Sequence, residues 1–431
     1  MQNRRVVITG MGTVNPLGHD VDTTWKGILT GEMGPTPVEV FDASTFPTTF
    51  ASQVKNFKLE EHIESHEKHA TAGRHCKFAI AAANQAWKQS GLGQFEELDR
   101  SRVGVYLGSG EGSLDFENFI SLIVEGWDAD NREVNSAKWL ELAKERLNMY
   151  REMEQDSNMV VAHLAAEFDV TGPAFNVLTA CAASTQAIGE AVMQVRYGLA
   201  DTIITGGAHS MIHPLGMTGF NRLTALSQRN DDIAHSSRPF DLTRDGFVLG
   251  EGASILIIET LEQAQKRGAT ILAEVVGYGA SADAFRITDQ DPEGEGAASS
   301  MRAALADAEL TPADIDYISA HGTGTKQNDQ VETLAIKAAM GENAPTTPVS
   351  SVKSMLGHLI AAAGATELIT CILAIQDQML PPTANLNTPD PDCDLDYIAN
   401  EPRSADINIC MSNSMGFGGQ NNTIIIKKYE G

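Results

Sequence analysis

The sequence is short of positive charge. Its 31 lysines and arginines face 57 aspartates and glutamates, a net charge of −26 at pH 7. Nonspecific binding to nucleic acid or to an anionic membrane depends on basic surface, so neither role fits without a local basic patch. Cysteine is sparse as well: five, at positions 76, 181, 371, 393 and 410, odd in number and without a CxxC pair. That pattern supplies neither a zinc ribbon nor a disulfide framework, and it suits a reducing compartment. Long apolar runs are missing. The nearest, Leu359 to Ile375, carries Glu367 near its middle and falls short of the about 20 residues that a spanning helix needs, so it reads as a buried helix. The opening MQNRRVVITG has two arginines but no long apolar core and no small-residue cleavage site, so no signal peptide is expected and the protein reads as cytoplasmic. No solenoid period and no low-complexity segment occurs.

What is present is the composition of a globular α/β protein: 431 residues, 42% hydrophobic and 20% charged. Short β-branched runs end in glycine or a small polar residue, at Arg5–Gly10, Val103–Gly110, Phe175–Ala180, Thr202–Gly207 and Ser254–Glu259. After about residue 265 the series restarts, at Ala273–Gly279, Tyr317–His321, Pro348–Val352, Ile407–Ser414 and Thr423–Lys428. Alanine-rich stretches with helical spacing lie between them, such as Cys76–Gln89, Ala183–Arg196 and Ala297–Ala308. Strands alternating with helices argue for α/β layers, and two similar series for two related halves, 1–264 and 265–431. One segment stands apart, from Asp115 to Asn158. Trp139, Leu142, Ala143, Leu147, Tyr150 and Met153 there fall on one helical face, which predicts an amphipathic helix on the body of the protein, N-capped by Asn135 or Ser136.

Four stretches carry chemistry. In Phe175–Ile188 an apolar strand runs into Cys181 and then at once into small residues with helical spacing. A thiol at a helix N-terminus faces unpaired N–H groups and the helix dipole, which favour the thiolate and could hold an oxyanion. His321, in Ile318-Ser-Ala-His-Gly-Thr-Gly-Thr325, also follows a strand. His358, five residues after Lys353, opens a helix of very small residues. Gly416, Gly418 and Gly419 precede the last strand and permit close approach of backbone to a ligand. Strand ends are where sites assemble in α/β sheets. A metal reading of His62, His66 and His69, spaced i, i+4, i+7, lacks HExxH or a cysteine pair, and a solvated helix face is expected instead.

Together, TACAAS with Cys181, HGTGT with His321, VKSMLGH with Lys353 and His358, and NSMGFGG with Gly416–Gly419 resemble the elongating β-ketoacyl-[acyl-carrier-protein] synthases, in the order seen there. The opening RRVVITGMGTVNPLG, Arg238-Pro-Phe-Asp241, Arg244–Gly252 and Cys393-Asp-Leu-Asp-Tyr extend the likeness over nearly the whole chain. Thiolases carry a second cysteine near the end and initiating synthases replace one histidine by asparagine; here the GFGG loop has no cysteine and both histidines are present. The resemblance implies a thiolase-like fold, two duplicated βαβαβαββ halves in an α-β-α-β-α five-layered core, and a homodimer. It implies that Cys181 takes the acyl group from an acyl thioester, with the N–H groups of Cys181 and Phe417 as oxyanion hole. His321 and His358 would stabilise the enolate formed as malonyl-carrier-protein loses CO₂. Thr323, Thr325, Phe417, Gly418 and Glu111 would meet substrate, and Lys353 with Glu332 would form a supporting ion pair. The partner implied is an acyl carrier protein; no metal and no cofactor is called for beyond the phosphopantetheine on the substrates.

The sequence departs from that family in places. Glu67, Ala70 and Thr71 stand where the carrier-docking strip has lysine or arginine, leaving Arg74, Lys77 or Arg222 as substitutes. Glu111 puts a carboxylate where the acyl pocket is apolar, Met415 replaces a phenylalanine, and 115–158 is longer than usual. These features point to a specialised synthase. Two rivals are a noncatalytic chain-length-factor-like partner and a malonyl decarboxylase or acyltransferase that has lost condensation.

Overall fold

Runs that are apolar at every position, not every second one, become strands covered on both faces. The computed structural model describes residues 4–110 and 112–431; Glu111, and the substrate contact expected of it, lie outside the described residues. Among the described residues, five strands of the main sheet come from the first half: β1 (Val6–Val14), β2 (Val103–Ser109), β3 (Ala174–Val177), β4 (Thr202–His209) and β5 (Gly252–Thr260). Five follow in the second: β6 (Ala273–Ala282), β7 (Tyr317–Ser319), β8 (Val349–Ser350), β9 (Ile409–Gly416) and β10 (Gln420–Lys427). All ten belong to one sheet, in the order β8-β7-β9-β10-β6-β1-β5-β4-β2-β3.

The order shows the doubling that the sequence echoes only faintly. Outward from the seam the first half reads first, fifth, fourth, second and third strand, and so does the second half. Orientation repeats too. β1–β5 and β5–β4 are antiparallel and β4–β2 and β2–β3 parallel, matched by β6–β10, β10–β9, β9–β7 and β7–β8. The seam is an antiparallel pairing of β1 with β6, Val6 opposite Val275 and Ile8 opposite Ala273.

Helices complete five layers. α1 (Arg74–Ser90) covers β1 and β5 on one outside. The segment beyond β2 forms α2 (Phe116–Gly126), α3 (Ser136–Arg146), α4 (Met149–Met153) and α5 (Met159–Phe168), the last packing on α1 and β2. In the middle layer lie α6 (Ala183–Arg196) and α9 (Ala363–Asp377), each touching strands of both halves. α7 (Glu295–Asp307) and α8 (Lys326–Met340) close the other outside. Ala363 to Ile375 is buried at every position, so the apolar run around Glu367 is the core helix expected of it. With the turn before it, Ile360–Asp377 is long and apolar enough to cross a membrane, but 89% of it is buried inside the protein.

The expected single helix through Trp139 and Met153 is two. α3 is capped by Asn135, whose side chain accepts from the Lys138 amide at 3.0 Å, and it ends at Arg146. Asn148 then caps the separate turn α4, accepting from the Tyr150 amide at 3.0 Å. A capping side chain competes with the helix it interrupts. Tyr150 and Met153 are consequently exposed, not laid against the body.

Candidate active site

Cys181 follows β3 through a sharp turn. Ala180 has φ +48°, a region a residue with a Cβ rarely adopts, and the 3-10 turn Ala180–Ala182 then runs into α6. The second half repeats the device: Ile360 has φ +47°, and the turn Ile360–Ala362 runs into α9. The nucleophile candidate belongs to the first turn, and His358 stands two residues before the second. His321 lies just beyond β7. The doubled fold thus brings one cysteine and two histidines to the same ends of its central helices. The sulfur and one ring nitrogen of each histidine all lie within 4.8 Å of one another. The two rings meet edge to face, 5.3 Å between centroids.

All three groups are buried, Cys181 at 5% exposure and each histidine at 2%. Burial holds both imidazoles well below their ordinary pKa, reinforced by the Lys353 ammonium, so both are neutral. The tautomers are set by neighbours. The Ile360 amide donates to His358 Nδ1 at 3.2 Å, and Lys353 Nζ lies 3.4 Å from His321 Nδ1, so the proton of each ring sits on Nε2. His358 Nε2 has no partner among the described residues, although it is buried. An orphaned buried N–H at a pocket wall is a donor waiting for a ligand.

The thiol departs from expectation. Burial pushes Cys181 up to about 11, outweighing the opposing pull of Lys353 and of the backbone N–H groups of Phe417 and of Cys181 itself. The helix terminus does not make a resting thiolate here; desolvation wins. Those two N–H groups nonetheless approach the sulfur, beside which the carbonyl oxygen of an acyl group bonded to it would lie.

Lys353 supports the site, but not through the expected partner. Its ammonium pairs with Glu367 in α9 and donates to the His321 carbonyl at 2.6 Å. Glu332 instead accepts the amides of His321 and Gly322, each at 2.7 Å. The reason is position: Glu332 lies in α8 beneath the HGTGT loop and serves as a two-handed backbone cap, whereas Glu367 faces Lys353 from the middle layer. Burial raises both carboxyls to about 7. A glutamate in an otherwise apolar buried run signals a buried cation nearby, which is the cue for Glu367 that sequence reading left unused. Behind the loop, Arg244 joins Asp329 at 3.3 Å and Asp390 at 2.6 Å, and Asp329 accepts the Gly324 amide at 3.2 Å.

A pocket opens over Cys181, lined by both histidines, Thr323, Thr325, Met415 and Phe417, and also by Gly416 and Gly419. Gly418 does not line it; its amide donates to the Ile287 carbonyl at 2.9 Å. Gly418 and Gly419 have φ +96° and +80°, whereas Gly416 is needed for closeness: a Cβ there would stand 2.6 Å from the Thr179 carbonyl oxygen. Sequence reading missed Gln290 and Asn328 in the lining, joined at 2.9 Å, because polar residues in a loop and at a helix start carry no distinctive pattern. The histidines at 62, 66 and 69 do not gather. His62 stacks on Phe57, and His69 is buried against other helices instead of lying on a solvated face.

Comparison with known proteins decides the family. The profile of the Beta-ketoacyl synthase N-terminal domain matches residues 3–264, and that of the Beta-ketoacyl synthase C-terminal domain residues 272–387. The chain belongs to the beta-ketoacyl synthase family. It is 42% identical to 3-oxoacyl-[acyl-carrier-protein] synthase 2 of Staphylococcus aureus (strain COL), over 100% of this chain and 99% of that protein. It is 41% identical to the protein of the same name from Coxiella burnetii, over 99% of each. Among solved structures, AntDE:AntF, a type II PKS acyl-carrier protein in complex with its ketosynthase bound to the hexaketide, is similar at 34% identity and a TM-score of 0.88, covering 100% of both chains. This synthase is an acyltransferase with the thiolase fold, and its five layers are those expected from the sequence.

Proposed function

We propose that the chain elongates acyl thioesters by decarboxylating Claisen condensation with malonyl-carrier-protein, giving a 3-oxoacyl thioester in fatty-acid or polyketide-like synthesis. Cys181 attacks the acyl thioester while the N–H groups of Cys181 and Phe417 hold the carbonyl oxygen. The thiol proton leaves with the departing carrier thiol, so the S-acyl enzyme forms and the first carrier is free, a ping-pong order. The malonyl thioester then places its carbonyl against the Nε2–H groups of His321 and His358. As CO₂ leaves, these neutral donors stabilise the enolate, in a dry site where preorganised hydrogen bonds count most. The enolate carbon attacks the acyl carbon on Cys181, and the sulfur leaves as the new carbon–carbon bond forms. Lys353, Glu367 and Glu332 hold the histidine loops in place. Thr323 and Thr325, on the pocket wall, meet the pantetheine arm. No metal or redox cofactor enters this reading.

The observation that carries it is the sulfur within 4.8 Å of one ring nitrogen of each histidine, in a pocket where His358 Nε2 is a buried donor without a partner among the described residues. Incubation with chloroacetyl-pantetheine followed by intact mass tests the nucleophile, and joint measurement of CO₂ and 3-oxo product tests condensation. No adduct on Cys181 would favour the chain-length-factor role, and CO₂ without product the decarboxylase.

An acyl carrier protein is the partner of this reading. Arg74, one of three candidate docking cations, is partly engaged: its guanidinium donates to buried Glu251 at 2.7 Å and to the Val54 carbonyl at 2.6 Å, with 43% of the side chain exposed. Lys77 and exposed Arg222 are the other two. A homodimer is supported by the open sheet edge at β3, where Phe175 and the adjoining Leu178 are 59% and 55% exposed. The halves 1–264 and 265–431, a cytoplasmic location and a specialised acyl substrate complete the proposal.

A further inference from the structure

A second buried polar row lies away from the pocket. His69 Nε2 is 2.9 Å from Glu167 Oε2, His69 Nδ1 is 2.9 Å from His163 Nδ1, and His163 Nε2 is 2.9 Å from Glu154 Oε1. His69 is 1% and Glu154 4% exposed. The row joins three elements: the turn His66–His69, helix α5 with His163 and Glu167, and Glu154, the cap that ends α4 and so the exit of the long segment after β2.

Counting protons decides what the row must contain. Each of three contacts at hydrogen-bond distance needs one proton between its heavy atoms. Two neutral imidazoles bring one N–H each, and two ionised carboxylates bring none. With two protons, one contact sets lone pair against lone pair. We infer that the row carries one further proton, shared along the two imidazoles between the two carboxylates, and that this proton locks the exit of the 115–158 segment onto the body. When it leaves, one link opens.

The charges around the row bear on both states. The carboxylates of Glu167 and Glu154 at its ends favour the extra proton. Desolvation of His69 opposes it, as do the neighbouring His163 ring and Lys68, whose Nζ is 3.8 Å from Glu167 Oε2, and together they hold His69 below its ordinary pKa. From α1, His75 faces Glu154 and His163 but is held by burial at about 4 and adds no charge, and the Cys76 thiol is pushed up and stays neutral. Ser65 donates to Glu167 Oε1 at 2.5 Å. Acid therefore closes the lock and alkali releases it.

The release reaches the strand that leads to Cys181. The Glu154 carbonyl accepts the Ser113 amide at 2.7 Å, and Ser109 bridges the Ser157 carbonyl at 3.1 Å and Asn176 of β3 at 2.9 Å.

Hydrogen exchange by mass spectrometry on the full chain, corrected for the intrinsic pH dependence of exchange, tests this between pH 5.5 and 8. Protection of peptides covering 149–158 should rise on acidification, by up to about tenfold per pH unit, the limit for one proton. In His163→Gln the same peptides should show no pH dependence. In Glu154→Gln, which keeps an acceptor oxygen but loses the charge, the midpoint should move to lower pH. Wild-type protection that is flat, or that falls on acidification, overturns the inference. So does wild-type pH dependence in His163→Gln, or, should that variant not fold, an unmoved midpoint in Glu154→Gln.

Discussion

The Ile360 amide donates to Nδ1 of His358 at 3.2 Å. One backbone hydrogen bond thereby leaves the other ring nitrogen of His358 as a buried, unpartnered donor in the pocket that Cys181 also lines, and the strained turn at Ile360 is what places that amide. His358→Ala and His321→Ala should each lower malonyl decarboxylation by about 10²–10³-fold, the range for one lost oxyanion donor, while acyl loading of Cys181 survives. ¹⁴CO₂ release and intact-mass loading, measured on the same preparations, check this; unchanged CO₂ release in both variants contradicts it.

Cys181→Ala should abolish acyl loading. In the wild type, burial of the thiol sets a pH profile: with its pKa near 11, alkylation of Cys181 by iodoacetamide should keep rising through pH 9, about tenfold per unit. A plateau below pH 8 would mean a resting thiolate.

Removing one member of the Lys353–Glu367 pair leaves a buried charge alone. Glu367→Leu should cost about 3–5 kcal/mol of stability, and the double variant Lys353→Met/Glu367→Leu should recover much of it. Urea denaturation of the two singles and the double gives the coupling. Activity should not return with stability in the double variant, because His321 loses its neighbouring ammonium.

Stability should fall on acidification below pH 6.5. His75, His209, His321 and His358 are held neutral in the fold, so below 6.5 the unfolded chain binds more protons, and the stability present above that value is lost. Glu332 and Glu367 act oppositely. Raised from 4.5 to about 7, they bind more protons folded than unfolded between those values, so their contribution is best in acid and lost as pH rises to 7. Four imidazoles outweigh two carboxyls. Unfolding free energies in urea at pH 5, 6 and 7 should rise in that order.

Gly416→Ala should keep the fold and lose kcat. Its Cβ would meet the Thr179 carbonyl at 2.6 Å, so the loop must back away and carry the Phe417 N–H off the oxyanion position. A loss of about 10²-fold in kcat with little change in melting temperature is expected.

Most of the fold was legible because its strands and helices are long, apolar and bounded by small residues: Ala183–Arg196 was read to the residue. The candidate trio was legible because Cys181 and His321 each stand just beyond a strand and His358 just before a turn of small residues. Other features depend on contacts that sequence distance hides. Glu332 and Glu367 both lie within 35 residues of Lys353 in the chain, and only the packing of α9 against the Lys353 turn assigns the partner. The thiol's high pKa likewise reflects how completely the layers cover it, which no motif states. The break between α3 and α4 was missed because apolar periodicity outweighed the capping asparagine at 148.

The β1–β6 seam has a mechanical consequence. A ladder of main-chain hydrogen bonds fastens the half that holds the sulfur to the half that holds the imidazoles, so the two cannot open and shut like jaws without tearing the sheet. Admission and discharge of the acyl group must therefore fall to the loops at the rim, while the frame keeps the sulfur and the imidazoles in register.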